Sequence, residues 1–333
     1  MNLVTGATGH IGNVLVRHLL ANGEKVRALI WRGEDTTPLD GLSVETVEGD
    51  VLDLDSLSPA LRGVRRVFHL AGIISIMPGR NELVRRVNVE GTLNVLLASL
   101  QAGVERVVYT SSIHAITRPP LGVEIDEKLP FDPHNPVGEY DRSKAEATLR
   151  VLSAAKAGLN AVVVCPTGVI GPYDYRRSEM GQLILDCVER KPQFYVDGAY
   201  DFVDVRDVAA GMLLAGEKGR AGESYILSGE RLTVRQILDT LWELTGRRFA
   251  RIRIPFWLAR FAANFTPLYY RLTRCKPRFT PYSLVTLQSN SLISNAKARR
   301  ELGYAPLPLR QSLADAVAWF REQRQALAAV SVE

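Results

Sequence analysis

Directly after Met1 come Asn2-Leu3-Val4-Thr5, four residues suited to a buried strand. The chain then turns through Gly6-Ala7-Thr8-Gly9-His10-Ile11-Gly12 before an apolar helical period sets in. Three glycines in seven residues, between a strand and a helix, leave few folds open. Such a turn lets the backbone reverse tightly and approach a pyrophosphate, whose charge is met by unpaired N–H groups at the helix start. The spacing is GxxGxxG rather than GxGxxG, so its position carries the meaning.

The rest of the first half repeats this rhythm. Short Val/Ile/Leu runs predict strands at residues 2–5, 25–30, 44–47, 66–70, 106–110 and 160–165. Helical periods fall at 11–21, 56–61, 82–101 and 140–157, several of them closing on a glycine. The pattern predicts an α/β fold, a doubly wound parallel sheet of the NAD(P)-binding Rossmann type. Beyond Pro166 the alternation lapses, but residues 223–227 read as a strand returning to the main sheet. We therefore expect a dinucleotide-binding domain over 1–168 and 201–228, interlaced with a smaller carboxyl-terminal substrate lobe over 169–200 and 229–333.

A chain of 333 residues that is 46% hydrophobic and 23% charged is long enough for one large core and a smaller lobe. Its 41 basic and 36 acidic residues read as spread along the chain, which argues against a nucleic-acid partner. Cys165, Cys187 and Cys275 lie far apart, with no CxxC metal spacing and no even count for disulfides, so no metal and a reducing cytoplasm are expected. No signal peptide precedes the first strand, which again points to a cytoplasmic protein. The aromatic stretch 254–272 contains Pro255, Arg260 and Pro267, so a bilayer span is not expected. It reads either as a packed, pocket-lining helix or as a surface that meets lipid or an apolar partner.

The end of each strand supplies a candidate site residue. After strand two, Arg32 stands where an acid would bind a ribose 2′-hydroxyl, which favours NADP over NAD; a solvated arginine paired with Glu34 or Asp35 is the alternative. Asp50 and Val51 follow strand three, with Asp50 a candidate acceptor for the adenine amino group or a simple turn residue. Leu70, Ala71 and Gly72 follow strand four, and Ser111 and Ser112 follow strand five. Tyr140 and Lys144, four residues apart, share one helix face. A neighbouring ammonium and the positive nicotinamide ring favour the phenolate, so Tyr140 can exchange a proton with a carbonyl oxygen while Ser112 holds that oxygen.

In this order, TGATGHIG, EGDV, HLAG, YTSS, YDRSK, the Pro166–Pro172 loop PTGVIGP and the 201–208 run DFVDVRDV resemble the extended short-chain dehydrogenase/reductases of the NAD-dependent epimerase/dehydratase superfamily. The resemblance covers nearly the whole chain. It implies a catalytic triad of Ser112, Tyr140 and Lys144, with Lys144 also on the nicotinamide ribose. It further implies a cofactor site of Gly6, Thr8, Gly9, His10, Ile11, Gly12, Arg32, Asp50, Val51, Leu70, Ala71, Gly72, Ser111, Tyr140, Lys144, Pro166, Thr167 and Val169. Asn88 is implied as a support for the lysine or an active-site water, with a helix-start role as the alternative. PTGVIGP and Arg32 look most like the dihydroflavonol 4-reductase and 3β-hydroxysteroid dehydrogenase branch. Sugar-nucleotide epimerases usually carry an asparagine where Gly168 stands and an arginine where Tyr200 stands, both serving a substrate diphosphate.

The implied activity is therefore NADP(H)-dependent reduction of a ketone or aldehyde, or oxidation of the alcohol, on a moderately apolar small molecule. Sugar-nucleotide epimerisation or dehydration with NAD is the alternative, and a non-catalytic nucleotide-binding module is a third reading. The pocket is expected from Ile113, His114, Tyr173, Met180 and part of 256–270, with His114 either an extra acid–base group or a structural hydrogen-bonder. By the same resemblance the helices over 82–101 and 140–157 pair into a homodimer.

Overall fold

The computed structural model describes residues 1–246, 248–273 and 279–330. Cys275 lies outside the described residues, while Cys165 and Cys187 are buried free thiols. The chain runs β1 (Asn2–Thr5), α1 (His10–Ala21), β2 (Val26–Ile30), β3 (Glu45–Glu48), α2 (Leu54–Leu61) and β4 (Arg66–His69). Next come α3 (Glu82–Arg85), a π-helical turn (Arg86–Glu90), α4 (Gly91–Gln101), β5 (Arg106–Thr110), α5 (Glu139–Lys156) and β6 (Ala161–Pro166). The second half begins β7 (Gly168–Ile170), α6 (Glu179–Val188), β8 (Gln193–Tyr195), β9 (Ala199–Asp204), α7 (Val205–Lys218) and β10 (Ser224–Leu227). It continues through β11 (Glu230–Thr233), α8 (Val234–Thr245), β12 (Arg251–Arg253), α9 (Phe256–Ala263) and α10 (Thr266–Thr273). It closes with α11 (Pro281–Gln288), α12 (Ala296–Leu302) and α13 (Leu309–Val330).

Seven strands form one sheet in the order β10-β6-β5-β4-β1-β2-β3, every neighbouring pair parallel. The inner strands are apolar on both faces because both are covered, while the edge strand β3, Glu45–Glu48, is largely exposed. Leu3, Leu29, Val67, Val107 and Val163 pack under α2, α4 and α5, while Val4, Ala28, Phe68, Val108 and Val162 pack under α1, α7 and α12. The order reverses around β1, whose neighbours are β2 and β4, and that opens the crevice in which a dinucleotide lies on such sheets. As the sequence suggests, β10 returns to this sheet beside β6.

Two smaller sheets sit beyond it: β9 between β7 and β11, and β8 beside β12. The single helix predicted over 82–101 is interrupted by the π-turn at Arg86–Glu90. Its cause is local: the Asn88 side chain is drawn sideways to the backbone of Ile73, and Thr92 Oγ1 donates to the Asn88 carbonyl at 2.6 Å. Among the described residues no helix is long and apolar enough to cross a membrane.

Candidate active site

The glycine turn is fixed by what cannot fit there. Gly6 has φ +67°, and a Cβ on it would sit 2.8 Å from the Ala71 nitrogen. A Cβ on Gly12 would strike the Gly6 carbonyl oxygen and stand 2.9 Å from Ala7 Cα. Thr5 Oγ1 ties the turn to the next loop, accepting from Leu70 N at 3.2 Å and Ala71 N at 3.0 Å. Gly9 caps α1 with no side-chain bond, so the first N–H groups of the helix remain available to an anion. A cradle of bare backbone at a helix start fits a dinucleotide pyrophosphate.

Asn13, which the sequence reading missed, locks this cradle to the far side of the crevice. Its Nδ2 donates to Gly9 O at 2.8 Å and to Tyr173 O at 3.1 Å, and His10 Nε2 meets Pro172 O at 2.9 Å. At the outer rim, Arg32 is exposed. The acids expected to pair with it are engaged elsewhere: Glu34 with Arg176 at 2.6 Å and with Thr8, and Asp35 with the Thr37 hydroxyl at 2.6 Å. Arg32 has no ion pair among the described residues. Asp50 makes a turn, its Oδ1 accepting from Leu52 N at 2.8 Å, and Val51 packs against Gly91, where a Cβ would stand 2.7 Å from it.

The catalytic candidates converge at the end of β5. Helix α5 presents Tyr140 and Lys144, both buried. Lys144 Nζ donates to Thr110 O at 2.7 Å, just before Ser111 and Ser112. Ser112 lies beside the Tyr140 hydroxyl and favours its ionised form, and its own hydroxyl accepts from His114 N at 3.2 Å. Ser111 turns away, its hydroxyl 2.6 Å from that of Thr148 in α5. The π-turn gives Asn88 its place: Oδ1 accepts from Ile73 N at 2.8 Å, and Nδ2 donates to Ser143 Oγ at 2.9 Å. Asn88 thereby pins the loop after Gly72, where a Cβ would stand 3.5 Å from Lys144 Nζ.

Burial governs the charges. It lowers the Lys144 ammonium to about 8. The Tyr140 phenol is pushed up to about 12 by burial, with the Ser112 hydrogen bond pulling the other way. Among protein groups, burial thus outweighs the ammonium expected to favour the phenolate. His114 is held neutral, lowered to about 4 by burial, with Asp141 raising it and Arg118 lowering it.

A polar chain surrounds Tyr140. Asp141 accepts from Tyr282 at 2.7 Å and Arg118 at 2.8 Å; Arg118 meets His114 Nδ1 at 3.2 Å, and His114 Nε2 meets Tyr200 OH at 2.9 Å. The His114 ring stacks on Tyr200 at 5.7 Å and lies 6.4 Å from Tyr140. Tyr282 and Arg118 carried no motif and could not be singled out from sequence. Beside this chain, a Cβ on Gly168 would meet the rings of Phe202 at 2.8 Å and Tyr200 at 3.0 Å. The loop before β7 is held by Pro166, paired with Leu227, and by Thr167 N donating to Leu227 O at 3.3 Å; Val169 follows, half-buried, in β7.

Two pocket expectations need correction. Tyr173 faces Arg17 and the ring of Trp319, because its backbone is held at φ 67° on the α1 side. In the aromatic stretch 256–270 the fully buried residues are Ala259 and Ala263, against Leu284 of α11 with Phe256 half-buried beside them, while Trp257, Phe261, Phe265 and Tyr269 are exposed.

The model of the NAD dependent epimerase/dehydratase family matches residues 2–228. Sterol demethylase protein B of Methylococcus capsulatus is 44% identical over 96% of this chain and 98% of its own length. A putative dihydroflavonol 4-reductase of Synechocystis is 37% identical over 96% of this chain and 94% of its own. The crystal structure of gox2253 superposes with a TM-score of 0.84 at 35% identity, covering 97% of this chain and 98% of that one.

Proposed function

The chain belongs to the NAD dependent epimerase/dehydratase family, as an oxidoreductase of the extended short-chain type with an NAD(P)-binding fold, and from that premise we propose that it reduces the carbonyl of a moderately apolar small molecule, or oxidises the matching alcohol, with NADP(H). The observation that carries this reading is the aromatic wall at Gly168 and Tyr200. Where the epimerase pattern needs an asparagine, the Tyr200 and Phe202 rings leave no room for a side chain, and Tyr200 itself is committed to His114. A substrate diphosphate would meet rings instead of donors, and an apolar skeleton suits them. The name of the Methylococcus relative supports a fused-ring, sterol-like substrate.

In this reading residues 1–168 and 201–228 hold the cofactor, and 169–200 with 229–333 shape the substrate side. The bound nicotinamide supplies the hydride. Tyr140 delivers the proton to the carbonyl oxygen, Ser112 holds that oxygen, and Lys144 orients the ribose and balances charge. Arg32, exposed and without a carboxylate partner among the described residues, supports the choice of NADP over NAD. The buried free thiols of Cys165 and Cys187 suit the cytoplasm, where we place the protein.

The test is net turnover. Incubation with steroidal and other fused-ring ketones is expected to consume NADPH steadily, as loss of reduced-nicotinamide absorbance, and faster than NADH. Arg32→Ser is expected to lower the NADPH preference about tenfold or more. Sugar-nucleotide conversion with no net change in cofactor would instead establish the epimerase alternative.

Leu93, Leu97 and Leu100 of α4 and Leu149 of α5 are exposed on neighbouring helices and support a homodimer. Light scattering should give twice the chain mass of 36.8 kDa; a monomer at assay concentration would remove the dimer.

A further inference from the structure

Helices α9 and α10 are built inside out. A helix on a protein surface normally buries its large apolar residues and exposes its polar ones. Here α9 seats Ala259 and Ala263 against Val196 and Leu284, and turns Trp257, Leu258 and Phe261 to solvent. Phe265, Leu268, Tyr269 and Leu272 extend the same exposed surface through the turn into α10. Trp257 is 71% exposed and Leu272 75%, in a chain that buries most of its other large apolar residues. A contiguous patch of this kind marks a contact surface.

Charge identifies what it meets. Between Leu244 and Ala296 the chain has nine Lys or Arg and no Asp or Glu. At the overall frequency of 36 acids in 333 residues, about six would be expected there. The basic residues are thus concentrated along this stretch of sequence, and the even spread suggested by the whole-chain count does not hold. Acids from outside the stretch meet two of these charges, Asp239 at Arg251 and Asp197 at Arg253, while Arg260 projects from α9 among the exposed rings. Aromatic and leucine side chains interleaved with arginine, on helices of eight residues, suit a segment that lies in a headgroup layer without crossing the bilayer. A second copy of the chain is a poorer occupant, since a two-fold contact would set this basic stretch, which has no acid of its own, against itself.

We infer that the face formed by α9 and α10 docks on an anionic lipid surface, with Trp257, Phe261, Phe265, Leu268 and Leu272 entering the headgroup boundary and Arg260 meeting lipid phosphates. The inference stands on this patch alone and does not need the catalytic reading. Docking there would place the substrate side at the lipid surface, because Leu284 beneath α9 and Tyr282 beside Asp141 belong to the same helix, α11.

The experiment is cosedimentation of the full chain with phosphatidylglycerol/phosphatidylcholine vesicles and with pure phosphatidylcholine vesicles, at low and high salt. The protein is expected to pellet with the anionic vesicles, at least about tenfold more strongly than with neutral ones, and to be partly released by salt. The triple variant Trp257→Ser, Phe261→Ser, Phe265→Ser removes only exposed rings, and should lose about tenfold or more in partitioning while its circular dichroism is unchanged. Arg260→Glu, which removes no ring, should weaken binding several-fold. The inference is overturned if the wild type stays in the supernatant with anionic vesicles, or if the triple variant pellets as well as the wild type. It is equally overturned if the patch proves to hold two copies together, with the triple variant becoming monomeric and the wild type not binding lipid.

Discussion

Replacing Tyr140 with Phe is expected to lower carbonyl reduction by a factor of about 10²–10⁴ while leaving dinucleotide affinity within a few-fold of the wild type. The substitution removes one oxygen from a buried ring and leaves the ring's packing in place. What is lost is the hydroxyl beside Ser112 at the end of β5. The glycine cradle lies at the end of β1, in a separate loop, and is untouched. The measurements are steady-state kinetics and a fluorescence titration with NADPH. Near-normal turnover by the variant would remove Tyr140 from its role, and loss of both turnover and binding would mean that the ring is structural.

The pH profile gives this assignment a second readout. With the phenol pushed up to about 12, Tyr140 carries its proton throughout the neutral range and is ready to act as an acid. The limiting group on the alkaline side is then Lys144, lowered to about 8 by burial. Above that pH it sheds its charge, so kcat/KM for reduction should be level below about 8 and fall by up to about tenfold per unit above it. His114, lowered to about 4, is neutral through this range and adds no break near 6.5. A break there would show that His114 exchanges protons with the substrate after all.

What could be read from the sequence was whatever repeats or is forced by backbone sterics. The strands under two helical layers announced themselves as unbroken Val, Ile and Leu runs, and the glycine turn as a spacing no ordinary loop needs. Tyr140 and Lys144 stood out through their helical spacing and their order after the serines. The π-turn at Arg86–Glu90 left no such sign, because a one-residue backbone insertion changes hydrogen bonding and not composition. Asn13 looked like a polar helix residue, and its bond to Tyr173 spans 160 positions. Tyr282 reaches Asp141 across 141 positions, a pairing that only the closing of the second lobe creates. The aromatic stretch 256–270 was legible as apolar, but which face it buried was decided by two alanines.

Gly12→Ala is expected to destroy the cofactor site. Alanine inside an exposed helix normally stabilises it by about 0.5–1 kcal/mol relative to glycine, so a loss here has to come from the packing. The new methyl would be driven into the Gly6 carbonyl and the Ala7 backbone, neither of which is a side chain able to rotate aside. Either the turn opens or α1 lifts, and α1 is anchored by Val14, Leu15, Val16 and Leu19 in the core shared with α7. Overpacking of this kind costs about 1–3 kcal/mol, and any shift displaces the N–H groups that face the pyrophosphate. NADPH affinity should fall at least about 100-fold, with a lowered melting temperature. Gly23→Ala is the control: its φ of +73° strains an added side chain, but nothing lies within 4 Å, so it should cost about 1–2 kcal/mol of stability and leave cofactor binding unchanged. If Gly12→Ala bound NADPH as tightly as the wild type, the turn after β1 would not be where the dinucleotide sits. If Gly23→Ala lost binding equally, the effect would be one of global stability and not of the cradle.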